Sequence, residues 1–531
     1  MKKINLFSYI VSFVFVLSGC DSFLDINEDK DSASYAPASE ILPVTMFYAS
    51  QINYDHAEYG VYLAQALTTG GKSPAGSLAY KSGWDFLLMN RHPHWRRHFY
   101  DIGKNVRLMT IDADKKKSYN YQLIGRTINL MSMIFTTDVF GDMPRSEAYM
   151  ATAPKYDTQE SIYEWMFQEV DALIADYENP ALVNAATNEN ISKRMDRIFA
   201  GDMNKWKQFT YSLKARLYLR KLPNWDNSPA TCQIIIDAAD KALSDWTEPI
   251  YKYDGGVTEQ NCPWGPAQPV INSWESRRNE LDKSIPTRFF LIDMLALKVN
   301  SNGTVNEFNA DPRLKMQKLM EKRIGPDGKI AWRFLDSNFG MDASMKETHY
   351  PNLLSSNNYM TKNDAGISLM TTEELLMIKA EAQYWAGLKA ESRETAVLAV
   401  KENMMKHEIA EGTINTYISK STCLPASGFS IGHLMRQKYI AMYLQPEMWN
   451  DMRRYKYSNN SNGITYDNEV IYPGLRRPYN LSTAWLSNSN EWVQRLNYDP
   501  ETEEKYNRAE LERLGAFRNP DWMKKSMIWN K

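Results

Sequence analysis

Among the residues whose type and spacing could support chemistry, Cys20 is the most sharply defined. It closes the run Leu17-Ser18-Gly19-Cys20, behind an apolar stretch from Ile10 to Leu17 and the basic pair Lys2 and Lys3. That order is the order of a lipoprotein export signal. The chemistry is acylation: the thiol takes a diacylglyceryl group, the peptide bond before it is cut, and the freed amine is acylated. The apolar stretch is shorter than the roughly 20 residues that cross a bilayer. Residues 1–19 are therefore read as a signal, and the mature chain as held by lipid through Cys20. Several acyl chains on one cysteine, at about 0.8 kcal/mol per buried methylene, anchor a protein stably.

Other motifs fail on spacing. Gly71-Lys72-Ser73 ends like a phosphate-binding loop, but Ala66 stands where the first glycine belongs. His407-Glu408 opens like a zinc-protease helix, with Glu411 in place of the second histidine. Asp25, Asn27, Asp29 and Asp31 alternate as in a calcium loop, yet Lys30 holds the glycine position and Ala36 the closing carboxylate. His92, His94 and His98 lie close together without a cysteine or carboxylate beside them, so no metal site is assigned. The spacing G-x-S-x-G occurs at Gly428-Phe429-Ser430-Ile431-Gly432, but no strand is read ahead of it, so no strand-turn-helix nucleophile elbow is assigned. A glycosidase-type carboxylate pair is a spatial feature, and 64 acidic residues leave it open.

Aromatic side chains are the remaining chemical resource: they make up 12 % of the chain, including 15 Trp and 31 Tyr. Most must serve as packing anchors, and Trp95, Trp165, Trp206, Trp385 and Trp449 fall within helical patterns. Others are expected to stack against a ligand: Trp264 and Trp274 first, then Trp84 and Tyr54, with Asn261 and Arg277 as polar partners. Trp264 sits in Cys262-Pro263-Trp264-Gly265-Pro266, whose rigid flanks lower the entropy lost when the ring is fixed. Trp84 follows Gly83 outside any apolar periodicity. The competing role for each loop tryptophan is a pin that fastens its own loop to the scaffold.

The elements that must position these residues are mostly helices. Residues 20–38 are polar and read as a tether; helical periodicity runs from about 39 to 246 and from about 370 to 456. Asp157 with Glu160 predicts a helix start, followed by Ile162, Met166, Val170, Leu173 and Tyr177 on one face. Thr371 with Glu374 predicts another, which Gly387 stops. Residues 247–285 break the pattern with Pro249, Pro263, Pro266 and Pro269 among glycines, and 247–368 as a whole reads as loop-rich insertions that face the ligand. The stretch from about 457 to 531 is irregular, and 39–531 is read as a single domain.

The formal charge of -2 and the lack of a long basic cluster argue against nucleic acid as a partner. Beyond Cys20 only Cys232, Cys262 and Cys423 remain, so at most one disulfide can form.

Several runs resemble the SusD/RagB outer-membrane lipoproteins, specifically the subgroup with an "FLDIN" start. Phe23-Leu24-Asp25-Ile26-Asn27 follows the anchor, and Thr137-Asp138-Val139-Phe140-Gly141-Asp142-Met143-Pro144-Arg145-Ser146-Glu147-Ala148 is similar to the family's "GD-x-PYSEA" turn, with Arg145 for the usual tyrosine. Ala310-Asp311-Pro312-Arg313, Lys379-Ala380-Glu381-Ala382, Gln437 to Arg454 and Arg476-Arg477-Pro478-Tyr479 follow in the family's order. Asp142, Asp451, Arg453 and Arg454 within these runs are read as holding helix ends and core ion pairs. Pro446 is expected to break the helix or begin a new one. The resemblance implies a mostly α, SusD-like fold, with tetratricopeptide-like helix pairs as scaffold and long irregular loops. It implies a surface-exposed outer-membrane lipoprotein that binds oligosaccharide or oligopeptide and delivers it to a SusC-like TonB-dependent transporter. Neither a cofactor nor a catalytic residue is implied. A surface-anchored glycoside hydrolase and a non-transport helical scaffold are the competing readings.

Overall fold

The computed structural model describes residues 36–71, 79–88, 92–151, 153–256, 260–267, 280–301 and 303–531. Cys20 with the signal, Trp274 and Arg277 lie outside the described residues. The first long helix, α1 (Ala38–Leu63), follows Pro37 and is buried over most of its length. It has no side-chain N-cap of its own; the Ala38 N–H donates instead to Asp112 Oδ2 at 2.8 Å. A carboxylate there satisfies an orphan donor and faces the positive end of the helix dipole. Asp112 belongs to α2 (Asn105–Lys116), which continues without a break from a π-helical stretch, Arg97–Lys104.

The scaffold proceeds through α3 (Tyr119–Phe140), α4 (Gln159–Glu178), α5 (Met203–Leu219), α6 (Pro229–Leu243), α7 (Thr372–Trp385) and α8 (Lys389–Lys406). Helix α2 packs on α3, and α4 to α8 form a row in which each helix packs on the next, as in a helical solenoid. Then come α9 (Glu411–Ile418), α10 (Ile431–Ala441) and α11 (Glu447–Arg454), the last packed on α1. Strands are short: β1 (Leu67–Thr69) pairs with β3 (Ser284–Pro286), and β2 (Ile250–Lys252) with β4 (Gly366–Ser368), both antiparallel.

Local signals fixed several boundaries. Thr371 Oγ1 accepts from the Glu374 N–H at 3.1 Å, and Gly387 ends that helix with φ +83°. Pro446 separates α10 from α11 and caps the latter. The start of α4 needs a correction: Thr158, not Asp157, is its N-cap, accepting from the Ser161 N–H. Asp157 instead receives the N–H groups of Arg145 and Ser146, both at 2.8 Å. Asp142 holds the helix end as expected, accepting from the Gln159 N–H at 2.9 Å.

The core is polar as well as apolar. Arg220 on α5 reaches Asp138 on α3 at 2.9 Å and both carboxylate oxygens of Glu447 on α11 at 2.6 and 2.7 Å. One turn earlier, Arg216 forks onto Glu374 of α7 at 2.8 and 3.0 Å. Arg454 and Lys438 share Glu381, and Asp451 joins them. Burial alone would raise the Glu381 carboxyl, but the two cations outweigh it and hold it down at about 2. Arg453 lies 3.5 Å over the Trp449 ring and donates to backbone carbonyls of Asp138 and Gln494, and burial lowers it to about 10. Charges this deep are tolerable only with such partners. Cys232, Cys262 and Cys423 are buried free thiols.

Candidate ligand-binding surface

The sequence pointed to four described residues as ligand contacts, and the structure buries all of them. Tyr54 on α1 and Trp264 meet edge to face with ring centroids 4.5 Å apart, and are 1 % and 4 % exposed. The Trp264 loop is fastened by the Cys262 N–H to Asn363 O at 2.7 Å, and Asn261 donates to Ala267 O at 2.7 Å. Trp84, 1 % exposed, has φ +61° and is wedged between Trp485 and Trp492 at 5.1 and 5.6 Å. Tyr54, Trp84 and Trp264 therefore act as pins in this structure, because the core takes up the large apolar area of each ring and leaves no face for a ligand. Asn261 holds its own loop. Trp274 and Arg277 belong to the segment that leads into residues 280–286 and β3.

Open ring faces are found on two other loops. Phe339 and Tyr479 are 54 % and 41 % exposed, with centroids 5.1 Å apart and planes at 82°. Two asparagines place them. Asn338 and Asn480 both adopt left-handed backbone, φ +54° and +47°, a conformation that asparagine tolerates better than most residues. The Asn338 amide donates to the carbonyls of Tyr479 and Asn480 at 2.9 and 3.1 Å, and the Asn480 amide donates back to Asn338 O at 2.9 Å. The Tyr479 N–H adds a bond to Ser337 O at 2.9 Å. This reciprocal clasp fixes both rings before any ligand arrives.

The clasp is anchored to the scaffold below. The Asn338 N–H donates to Thr68 Oγ1 on β1, and the Met341 N–H to Gly70 O, both at 2.9 Å. On the other side the Ser482 N–H donates to Gly83 O, and Trp485 Nε1 to Trp84 O. The Trp84–Trp485–Trp492 stack, closed by Tyr457 at 4.5 Å from Trp492, thus supports the loop that carries Tyr479. Ser337 Oγ and Asn338 Oδ1 beside Phe339 are buried with no partner among the described residues. The Asn338 and Asn480 pattern, an aromatic next to residues that tolerate left-handed backbone, was the signal the sequence offered.

A further exposed ring, Phe308 at 77 %, borders a shallow cleft of about 390 Å³ lined by Met316, Tyr417, Lys315 and Lys420. It offers one ring where the clasped loops offer two. The histidines are core residues: His98 Nδ1 bonds Ser132 Oγ at 2.7 Å and His94 Nε2 bonds Thr136 Oγ1 at 3.2 Å. Burial lowers His98 to about 3 and His92 to about 4. Among the described residues no group of three His, Cys, Asp or Glu side chains is placed to hold a metal, and no helix is long and apolar enough to cross a membrane.

Comparison with known proteins adds a family. Residues 29–478 match the SusD-like family model described as "Starch-binding associating with outer membrane". No curated protein matches the chain. A chitin-binding SusD homolog from Flavobacterium johnsoniae is 16 % identical with a TM-score of 0.63, covering 93 % of this chain and 97 % of that one. A SusD homolog from Bacteroides uniformis is 17 % identical with a TM-score of 0.65, at 92 % and 99 % coverage. A SusD/RagB family protein from Bacteroides thetaiotaomicron is 20 % identical with a TM-score of 0.60, at 93 % and 99 % coverage. These structures share the mostly α SusD fold.

Proposed function

The chain belongs to the SusD-like family, and from that premise we propose that it is a binding protein that captures an oligosaccharide at the Phe339–Tyr479 platform on the outer face of the outer membrane. The family description supports the glycan class and the membrane, and one structural relative is named for chitin binding. The observation that carries the reading is the pair of half-open rings held at fixed geometry by the Asn338–Asn480 clasp. Sugar rings present apolar C–H faces ringed by hydroxyls; preset aromatic faces meet the former without ordering cost, and amides and hydroxyls at the rim meet the latter. In this reading Cys20 carries the lipid anchor, and a SusC-like TonB-dependent barrel accepts the captured solute. The protein binds and hands over; it does not cleave.

Two measurements test this. Calorimetry with maltooligosaccharides, chitooligosaccharides and short peptides should give heat with a glycan that is lost in the Phe339→Ala, Tyr479→Ala double variant; binding of peptides alone would replace the glycan with a peptide ligand. Purification of the tagged lipoprotein from its native membrane should co-isolate a large barrel, and its repeated absence would remove the transporter from the reading.

A further inference from the structure

The two ends of α1 have different surroundings. At its C-terminal end the chain turns into β1 and the clasped loops; at its N-terminal end, about 39 Å away for 26 residues at 1.5 Å each, Ala38 is pinned to Asp112 of α2. The chain that leads back to Cys20 leaves from this second end. Fifteen residues, Asp21 to Tyr35, lie between Cys20 and the described fold.

Beside this exit lies a surface with an unusual composition. Tyr100, Leu108 and Ile111 occupy one stripe of the helical run that ends in α2, and are 51 %, 37 % and 43 % exposed. Lys104 and Arg107 are exposed on the same stripe. Tyr149 and Met150, 42 % and 75 % exposed, extend it from the next loop. Tyr149 is held there because its hydroxyl donates to Phe99 O at 2.9 Å across Gly103, where a Cβ would fall 1.9 Å from that oxygen. That bond to the residue next to Tyr100 joins the loop to the stripe as one patch. Asp114 is the acidic exception, and Gln122 occupies it.

We propose that this patch, with Tyr100, Leu108, Ile111 and Met150 as its apolar part and Lys104 and Arg107 as its cations, rests on the anionic lipid surface into which Cys20 is inserted. The inference depends on the lipid anchor at Cys20. Amphipathic faces with aromatic and aliphatic groups among cations sit at the headgroup boundary, and each Lys or Arg near an anionic surface adds to the attraction. With the anchor fifteen residues away in the chain, engagement of the patch is intramolecular, so a weak affinity is enough to orient the molecule.

The test uses the full lipidated chain in vesicles of phosphatidylglycerol and phosphatidylcholine. Mass spectrometry first establishes the acyl groups on Cys20; their absence removes the anchor reading and the proposal with it. An environment-sensitive label is then placed by Ile111→Cys or Met150→Cys, with Leu398→Cys on α8 as control, since α8 packs on α7, α9 and α10 and is 56 % exposed at that position. The three remaining cysteines are buried and stay unlabelled. Nitroxide lipids should quench the first two labels at least about threefold more than the control, as an interfacial position requires. Equal quenching at all three positions on a lipidated protein would overturn the proposal, as would labels shielded from nitroxide lipid and soluble quencher alike, which would mean that a second copy covers the patch.

Discussion

Replacing Phe339, Tyr479 and Trp264 one at a time should separate binding from stability. Aromatic side chains of this size have roughly 200 Å² to bury. With 54 % and 41 % of their surface open, Phe339 and Tyr479 have roughly 110 and 80 Å² to offer a ligand. A sugar covers about half of that, and at about 25 cal/mol per Å² each contact is worth about 1 kcal/mol, or about fivefold in affinity. The rings touch at 5.1 Å, so the double alanine variant should fall short of or exceed the product of the singles, and the deviation measures their coupling. Because both rings are half exposed, neither substitution should change folding stability by more than about 0.5 kcal/mol. Trp264→Ala should do the opposite: a ring 4 % exposed and packed on Tyr54 leaves a cavity costing about 3 to 5 kcal/mol, with affinity intact wherever the protein is folded. The assays are calorimetry with oligosaccharides and chemical denaturation of each variant. Unchanged affinity in the double variant, or weakened binding by Trp264→Ala at an unchanged denaturation midpoint, would refute the reasoning.

Acid should destabilise the fold from about pH 6.5 downwards: burial lowers His56, His98 and His407 to about 3 and His92 to about 4, so the unfolded chain takes up protons the folded one refuses. Each histidine then forfeits about 2 kcal/mol by about pH 5, while Glu374, pushed up to about 7 by burial, offsets about one of them; a midpoint that is flat between about pH 7 and 4 would contradict this. Arg220→Ala leaves Asp138 and Glu447 buried without their shared cation and should cost about 3 to 5 kcal/mol in denaturation, and an unaltered midpoint would show the network to be unpaired in solution. Cys20→Ala should move the protein from the membrane fraction to the soluble one or leave an uncleaved precursor, and retention of a processed form in the membrane would remove the lipid anchor.

What the sequence revealed follows from the range of the interactions involved. Thr371, Gly387 and Pro446 act on their own turn of backbone, so residue type at one position decides the outcome. Arg453 and Arg454 could be read as core residues because they share a helix with Trp449, and charged groups beside a buried tryptophan need partners. The one-residue error at α4 has the same origin: Asp157 and Thr158 are both good caps, and the choice went to Thr158 because Asp157 is drawn to the Arg145 turn. The ring faces were a different problem. Prolines beside Trp264 say that its loop is stiff, but whether the ring points in or out depends on Tyr54, far away in the chain. Phe339 and Tyr479 stand beside each other only because Asn338 bonds a carbonyl 141 positions away, and no local pattern encodes that meeting.

The buried charges bear on the binding surface through register. An apolar replacement of such pairs is often as stable, so stability is a weak account of their presence. Position along the helix axis is a better one. Asp138, Arg220 and Glu447 tie α3, α5 and α11 at one level, and Arg216 with Glu374 ties α5 to α7 one turn away. Sliding any of these helices by one turn, about 5.4 Å, would separate a buried carboxylate from its guanidinium, whereas leucines would simply repack. Fixed helices in turn fix where the chain leaves them: the Gln494 carbonyl bonded to Arg453 and the Leu496 N–H bonded to Val139 O hold the segment that follows the Tyr479 loop against the same centre. Trp492 in that segment supports Trp84, which supports the loop of Tyr479. The ring separation of 5.1 Å set by the Asn338–Asn480 clasp is thereby carried on loops whose support runs down to the charges in the core.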